Sequence, residues 1–167
     1  MTKIYANTAA AGKLTENSSE KMAELTSQLQ ENPAGRFMQW MYEGYGELKN
    51  DLTDYLGAEA REIAFLPNFS FGISAVASAM RSDISKVLLY KSDYPSLTLP
   101  FEGQGYDVYY VEDADGFRIP LEKIEESIKR NRIELLAISD VQFLSGFLID
   151  VEELEKICHR NNCILLI

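Results

Sequence analysis

The sequence predicts an α/β fold: a mostly parallel sheet with helices on both of its faces. Short apolar runs recur from residue 63 onward, and a segment of helical periodicity follows each of them. These runs are apolar along their whole length, which is typical of strands that are buried on both faces. A chain of 167 residues is also long enough to bury one sizeable core.

The first part of the chain is predicted to hold an arm and two helices. Residues 1–15 show no periodicity and are expected to be irregular. A polar helix is predicted from about Glu20 to Gln30, ended by Asn32-Pro33 and Gly35. Apolar residues at steps of three and four then predict a long amphipathic helix that ends at Gly57. These residues are Phe37, Met41, Tyr45, Leu48, Leu52, Tyr55 and Leu56.

Strands and helices are predicted to alternate over the rest of the chain, as a parallel sheet requires. The predicted strands are Ile63–Leu66, Val87–Tyr90, Val108–Val111, Leu135–Ser139 and Ile164–Ile167. The predicted helices are Ser70–Met80, a short one around Leu97–Glu102, one that carries Leu121, Ile124 and Ile128 after Pro120, and one that carries Val151, Leu154 and Ile157.

Charge and composition disfavour several classes of function. The net charge of −10 repels nucleic acid backbones and anionic lipid, so neither nucleic acid nor membrane is expected as a partner. Cys158 and Cys163 are too few for a disulfide framework, and the amino terminus lacks the features of a signal peptide, so a cytoplasmic location is expected. His159 and the two cysteines match no standard zinc spacing, so no metal site is predicted.

Candidate binding residues follow the carboxyl ends of the strands, where open α/β sheets bind ligands. The stretch Asn68-Phe69-Ser70-Phe71-Gly72 follows the first predicted strand and opens a helix. The free amides of that helix can hold an anion, and the Ser70 hydroxyl is a further donor. Alternatively, Ser70 is only an N-cap, and Phe69 and Phe71 pack locally.

Two further turns are predicted to reach the same edge of the sheet. Tyr94 precedes Pro95 and is therefore held extended, so that its ring either stacks on a planar ligand or caps the core. Asp140 and Gln142 follow a later strand, where the amide either contacts a ligand oxygen or lies in an exposed loop. Together the three turns suit a flat, phosphorylated cofactor.

The order and spacing of four segments resemble the class V aminotransferase family of pyridoxal-phosphate enzymes. This family includes cysteine desulfurases, kynureninase and isopenicillin-N-epimerase-like proteins. The resemblance implies the amino-terminal part of the large domain of a fold-type-I pyridoxal-phosphate-dependent transferase, with residues 1–35 as an arm and helix and residues 36–167 as an incomplete large domain. The segments are YANTAAAGKLT, YLGAEAREIAFLPNFSFGISAVA, DYPSLTLP and AISDVQFLSGFLIDVEELEKICHRNNCILLI.

The resemblance implies cofactor-binding roles for five residues. Asn68, Phe69 and Ser70 match the turn that holds the phosphate of pyridoxal 5'-phosphate, with Phe69 contributing only its backbone. Tyr94 matches the residue that stacks on the pyridine ring, and Gln142 the contact to the ring hydroxyl. The family's ring-nitrogen aspartate and Schiff-base lysine come after the strand that matches residues 163–167. No catalytic residue is therefore assigned within this chain, which is expected to be inactive alone.

The resemblance also implies a substrate and an assembly for a longer enzyme. Such an enzyme acts on an amino acid or related amine through an aldimine, and forms a homodimer with the cofactor near the interface. The departures Phe69, Asp140 and Phe143 favour the kynureninase-like and epimerase-like branches. Two alternatives stay open. One is a truncated, non-enzymatic α/β module that binds a phosphorylated small molecule or a protein partner. The other is an enzyme for a sugar nucleotide or another phosphate ligand.

Overall fold

The computed structural model of the chain describes residues 4–8 and 11–167, which form two compact units. One unit extends to Phe65 and the other begins at Leu66. The predicted arm lies partly outside the described residues, and its described part contains neither helix nor strand. The division at residue 35 into an arm with its helix and a large domain stays a prediction.

The unit up to Phe65 is built from helices. The first, α1 (Glu16–Glu31), begins four residues before the predicted start because the Thr15 hydroxyl accepts a hydrogen bond from the amide of Ser18 at 3.1 Å. The long amphipathic helix is confirmed as α2 (Pro33–Gln39), one π-helical turn (Trp40–Gly44) and α3 (Tyr45–Leu56).

One predicted helix end is confirmed, and one residue predicted to end a helix does not. Gly57 ends α3 as predicted, with a left-handed φ of 65° that glycine adopts at little cost. Gly35 was expected to help end the first helix, and this is wrong because Gly35 lies inside α2. The side chain of Asn32 caps α2 by accepting from the Gly35 amide at 3.0 Å.

The unit from Leu66 contains the predicted parallel sheet, with strand order β2-β1-β3-β4 and all three neighbouring pairs parallel. The strands are β1 (Lys86–Tyr90), β2 (Asp107–Val111), β3 (Leu135–Ala137) and β4 (Ile164–Leu166). The helices are α4 (Phe69–Met80), α5 (Pro95–Gly103), α6 (Leu121–Asn131) and α7 (Val151–Arg160).

Both faces of the sheet are covered, as the apolar strands predict. Val87 and Leu89 of β1 pack with α4 and α5 in one buried cluster. Leu88 and Tyr90, which point to the opposite face, pack with α6 and α7 in a second cluster. The carboxyl ends of the strands lie at one edge of the sheet, where the candidate residues are expected.

The predicted strand Ile63–Leu66 is wrong. The backbone of Ile63 is extended, with φ −106° and ψ 129°, but residues 63–66 pair with no strand of the described chain. An apolar β-branched run favours an extended backbone, whereas a strand exists only through ladder hydrogen bonds to a neighbour. Phe65 and Leu66 are accordingly exposed.

The helices of the described residues include none that is both long enough and apolar enough to cross a bilayer.

Candidate functional site

The first turn of α4 contains three of the five predicted residues. Asn68 is the N-cap, and its Oδ1 accepts a hydrogen bond from the amide of Phe71 at 2.9 Å. The amide of Gly72 donates to the Asn68 carbonyl at 3.2 Å. The amides of Phe69 and Ser70 find no acceptor within the described residues and lie at the positive end of the helix dipole. The turn therefore offers two free donors to an anion.

Ser70 is not the N-cap, so the structural alternative for this residue is wrong. Its hydroxyl donates to the Ser96 hydroxyl oxygen in the first turn of α5 at 3.0 Å. Phe69 and Phe71 are both more than half exposed, so neither ring is buried by local packing. Ser96 was not predicted from the sequence, although a serine in the first turn of a helix is the same signal that singled out Ser70.

Tyr94 is held extended before Pro95, as predicted, with φ −60° and ψ 126°. Its side chain is 46% exposed and therefore does not cap the core. Its ring packs edge to face against Phe143, with ring centroids 5.3 Å apart and an interplanar angle of 73°. Phe143 follows Gln142 directly, so this contact joins the second predicted turn to the third.

Gln142 is 2% exposed, so it does not lie in an exposed loop. Its Nε2 donates to the carbonyl of Ser139 at 3.0 Å and to Oδ2 of Asp93 at 3.3 Å. Its Oε1 has no hydrogen-bond partner and is the one buried polar side-chain atom of the described residues in that state. An unpaired buried acceptor costs about 1–3 kcal/mol. The atom therefore marks a place for a donor from a ligand or a water molecule.

A closed loop fixes the backbone of Gln142. An isolated antiparallel bridge joins Val141 to Leu148. The Gln142 amide donates to the carbonyl of Phe147 at 2.9 Å, and the amide of Gly146 donates to the Gln142 carbonyl at 2.7 Å. Gly146 has a left-handed φ of 70°, which glycine adopts at little cost.

Asp93 lies between Tyr94 and Gln142 and was not predicted from the sequence. It is 5% exposed and accepts hydrogen bonds from both neighbouring turns. The one signal in the sequence is an acidic residue soon after an apolar strand, which is also what singled out Asp140. Burial is what separates the two, because Asp140 is only half buried.

A cavity of about 450 Å³ lies at the carboxyl ends of β3 and β4. Asn68 and Phe69 line it, whereas Tyr94 and Gln142 do not. Ser139 connects the two groups, because it lines the cavity and donates to Asp93. The lining is mostly apolar and consists of Leu66, Asn68, Phe69, Gly72, Ile73, Val76, Leu97, Ile138, Ser139, Leu166 and Ile167.

The two lysines that flank β1 are engaged elsewhere. Lys86 Nζ donates to the Asn131 carbonyl at 3.2 Å. Lys91 Nζ pairs with Glu112 at 2.5 Å, and this hydrogen bond and charge raise the pKa of Lys91 above its ordinary value. The described residues also contain no cluster of His, Cys, Asp or Glu that could hold a metal ion.

Comparison with known proteins decides the family. The model of the family described as aminotransferase class-V matches residues 4–167, which is nearly the whole chain. The chain belongs to the aminotransferase class-V family. The class-V resemblance is thereby confirmed.

Three similar proteins illustrate the relationship. Cysteine desulfurase IscS of Glaesserella parasuis is 25% identical over 173 residues, covering 96% of this chain and 42% of the relative. The apo structure of a cysteine desulfurase from Thermococcus onnurineus matches with a TM-score of 0.65 and 26% identity, over 72% of this chain and 32% of that chain. The structure of histidinol-phosphate aminotransferase from Sinorhizobium meliloti matches with a TM-score of 0.61 and 19% identity, over 72% of this chain and 33% of that chain.

The comparisons confirm the predicted fold class, because the chain superimposes on a cysteine desulfurase and on an aminotransferase with TM-scores of 0.65 and 0.61. The last of the three was solved in complex with pyridoxal 5'-phosphate, the cofactor predicted from the sequence. The chain spans about a third to two fifths of the curated relatives it matches. The preference for the kynureninase-like and epimerase-like branches stays a prediction.

Proposed function

We propose that this chain forms the cofactor-binding part of a pyridoxal-phosphate-dependent, class-V aminotransferase-like enzyme that acts on an amino acid or related amine. One observation carries the proposal. Three kinds of group that a phosphorylated pyridine requires lie on turns at the carboxyl edge of one parallel sheet. They are the free amides at the start of α4, the exposed ring of Tyr94 and the side-chain amide of Gln142.

The phosphate binds at the first turn of α4. The amides of Phe69 and Ser70 donate to phosphate oxygens, and the Ser70 hydroxyl becomes a third donor when its proton turns from Ser96 Oγ to the phosphate. Asn68 keeps the turn in this shape by capping the amide of Phe71. The helix dipole supplies positive potential at this point, where a dianion needs it.

The ring binds beside Tyr94 and Gln142. Tyr94 stacks on the pyridine, and its contact with Phe143 limits the directions in which the tyrosine ring can turn. Gln142 is assigned to the side of the ring hydroxyl, and the hydrogen bonds of its Nε2 to Ser139 and Asp93 hold the side chain in place. Once bound, the cofactor supplies an electron sink for chemistry at the α-carbon of an amine substrate.

The proposal extends to assembly and location. We place the enzyme in the cytoplasm, in agreement with the two free cysteines, Cys158 and Cys163. We also propose a homodimer, because none of the described residues in α1, α2 or α3 is buried, and large apolar side chains such as Phe37, Trp40 and Met41 are exposed there. Apolar surface of this kind is enriched in homodimer interfaces.

The test is a fluorescence titration of the 167-residue chain with pyridoxal 5'-phosphate. Ser70→Ala should weaken binding about tenfold, because one hydrogen bond to a charged phosphate is lost. Ser78→Ala is the matched control, an exposed serine two turns further along the same helix, and should leave the affinity unchanged. Equal affinities of the two variants would contradict the phosphate site.

A competition experiment separates the proposal from the non-enzymatic alternative. Pyridoxal, which lacks the phosphate, and inorganic phosphate, which lacks the ring, should each compete at least about tenfold more weakly than the complete cofactor, because each loses one set of contacts. Inorganic phosphate competing as well as pyridoxal 5'-phosphate would instead favour a module that binds any phosphorylated small molecule.

A further inference from the structure

The two cysteines of the chain lie at opposite ends of the turn between α7 and β4. The amide of Cys163 donates to the Cys158 carbonyl at 2.9 Å, and the amide of Asn162 donates to the His159 carbonyl at 3.2 Å. Asn162 has a left-handed φ of 51°. These bonds and this backbone angle define a Schellman motif, in which the side chains at the two ends of the turn commonly pack together. The motif therefore places Cys158 against Cys163.

The two thiols are in contact inside the core. Cys158 is 2% exposed and Cys163 is 7% exposed, and both belong to the cluster between the sheet and the helices α6 and α7. The thiol of Cys163 donates a hydrogen bond to the sulfur of Cys158. A similar turn ends α6, where the Ile133 amide donates to the Ile128 carbonyl at 3.1 Å. Two isoleucines are sufficient there, so packing alone does not require a pair of thiols.

The hydrogen bond between the thiols makes them chemically different. It holds the pKa of Cys158 below its ordinary value, although burial acts in the opposite direction. The same hydrogen bond, together with burial, raises the pKa of Cys163. Cys158 is therefore the residue that forms the thiolate, which is the nucleophilic form of a cysteine.

The turn that joins the cysteines is open to solvent. Asn162 is exposed, and the side chain of Cys163 is not completely enclosed. Asn161 and Asn162 line a surface hollow of about 340 Å³, together with Ile133 at the end of the α6 turn. A local opening of the turn therefore exposes the sulfurs to an oxidant as small as hydrogen peroxide.

We propose that Cys158 and Cys163 are a redox-active pair, which hydrogen peroxide converts to an intramolecular disulfide. The Cys158 thiolate attacks one oxygen of the peroxide, the O–O bond breaks, and the leaving hydroxide takes up a proton to become water. The sulfur of Cys163 then attacks the sulfenic acid on Cys158 and forms the S–S bond, while its proton leaves with the hydroxyl as a second water. Two electrons pass from the thiols to the peroxide, and a thiol reductant reverses the change. This modification site does not depend on cofactor binding.

The first experiment is mass spectrometry of the folded 167-residue chain after treatment with hydrogen peroxide. Trypsin cleaves after Lys156 and after Arg160, so residues 157–160 and 161–167 become two peptides that hold one cysteine each. The disulfide should keep the two peptides joined, with a mass lower by two hydrogen atoms than their sum, and dithiothreitol should release both. Unmodified thiols, separate peptides that carry sulfinic or sulfonic acid, or a disulfide between two chains would overturn the proposal.

Two single-cysteine variants test the order of the steps. In Cys163→Ser, the serine hydroxyl can still donate to Cys158, and a sulfenic acid should accumulate there and be trapped by dimedone. In Cys158→Ser, the remaining thiol of Cys163 should react with peroxide at least about tenfold more slowly, because its thiolate is disfavoured. Equal rates in the two variants would show that Cys158 is not the attacking thiol and would overturn this part of the proposal.

A third measurement uses the unaltered chain and asks whether the fold favours the disulfide. In a glutathione redox buffer, the ratio of disulfide to dithiol should be at least about tenfold higher in the folded chain than in the chain unfolded by urea, because the Schellman motif holds the two sulfurs together. The oxidised chain should accordingly unfold at a higher urea concentration than the reduced chain. A ratio that is equal or lower in the folded chain would overturn the proposal, because the native packing would then oppose the bond.

Discussion

Replacing Asn68 with alanine or with aspartate separates its structural role from its place beside an anion. Asn68→Ala removes the cap of the Phe71 amide and should lower the free energy of unfolding by about 1 kcal/mol. Asn68→Asp keeps an equally good cap and adds a negative charge at the helix amino terminus. Its free energy of unfolding should therefore be unchanged or up to about 0.5 kcal/mol higher.

The aspartate should nevertheless weaken cofactor binding. Residue 68 is exposed, so the repulsion between its carboxylate and a phosphate about 4 Å away is screened as in water and amounts to about 1 kcal/mol per unit of phosphate charge. A phosphate with a charge between −1 and −2 then binds about five- to thirtyfold more weakly.

Two assays check both halves of this prediction. Urea denaturation gives the free energy of unfolding, and titration with pyridoxal 5'-phosphate at low and high salt gives the affinity. The loss of affinity in Asn68→Asp should shrink at high salt, because exposed charges are screened. If Asn68→Asp retains full affinity at low ionic strength, the phosphate does not lie at the first turn of α4.

Two further predictions concern the scaffold of the unit from Leu66. Hydrogen bonds from Arg160 and Lys129 hold the pKa of Glu125 well below its ordinary value. The ionised carboxylate therefore stabilises the fold fully above a pH of about 4.3, the pKa of an unperturbed glutamate. This stabilisation is lost as the pH falls through the depressed pKa. Glu125→Gln should thus lower the urea midpoint at pH 7 but have less effect at pH 3, whereas Glu126→Gln, with only an exposed contact to Arg130, should have little effect at either pH. Arg132 has a left-handed φ of 56°, so Arg132→Gly should raise the free energy of unfolding by about 0.5–1 kcal/mol, and Asn162→Gly should gain less because asparagine tolerates this conformation. Thermal unfolding of both glycine variants checks this, and a loss of stability in Arg132→Gly would contradict it.

The sequence predicts the part of the fold that depends on local pattern. The four strands of the sheet and the helices between them follow from apolar runs and helical periodicity, which need no knowledge of distant partners. The predicted strand Ile63–Leu66 fails because pairing is a property of two segments. The π-helical turn at Trp40–Gly44 could not be predicted either. There the Trp40 ring lies so close to Gly44 that a Cβ on this glycine would come within 2.8 Å of it.

In the candidate site, too, local sequence pattern predicts some residues, whereas others depend on distant contacts. Asn68, Ser70 and Tyr94 could be singled out from the sequence because N-terminal helix turns and X-Pro dipeptides have recognisable sequences. Asp93 was missed because its importance comes from burial and from donors 46 and 49 residues away along the chain, at Ser139 and Gln142. Only the folded sheet brings these residues together, so a single sequence does not distinguish Asp93 from an ordinary acidic loop residue.

Chemical-shift mapping of the ¹⁵N-labelled chain with pyridoxal 5'-phosphate locates the bound cofactor residue by residue. We expect the largest changes at the amides of Phe69 and Ser70, at Tyr94 and at the side-chain amide of Gln142. The first turns of α6 and α7 are also helix amino termini in the same unit and should stay unchanged. Larger changes at those turns than at α4, or none at Gln142, would contradict the assignment of this sheet edge as the cofactor site.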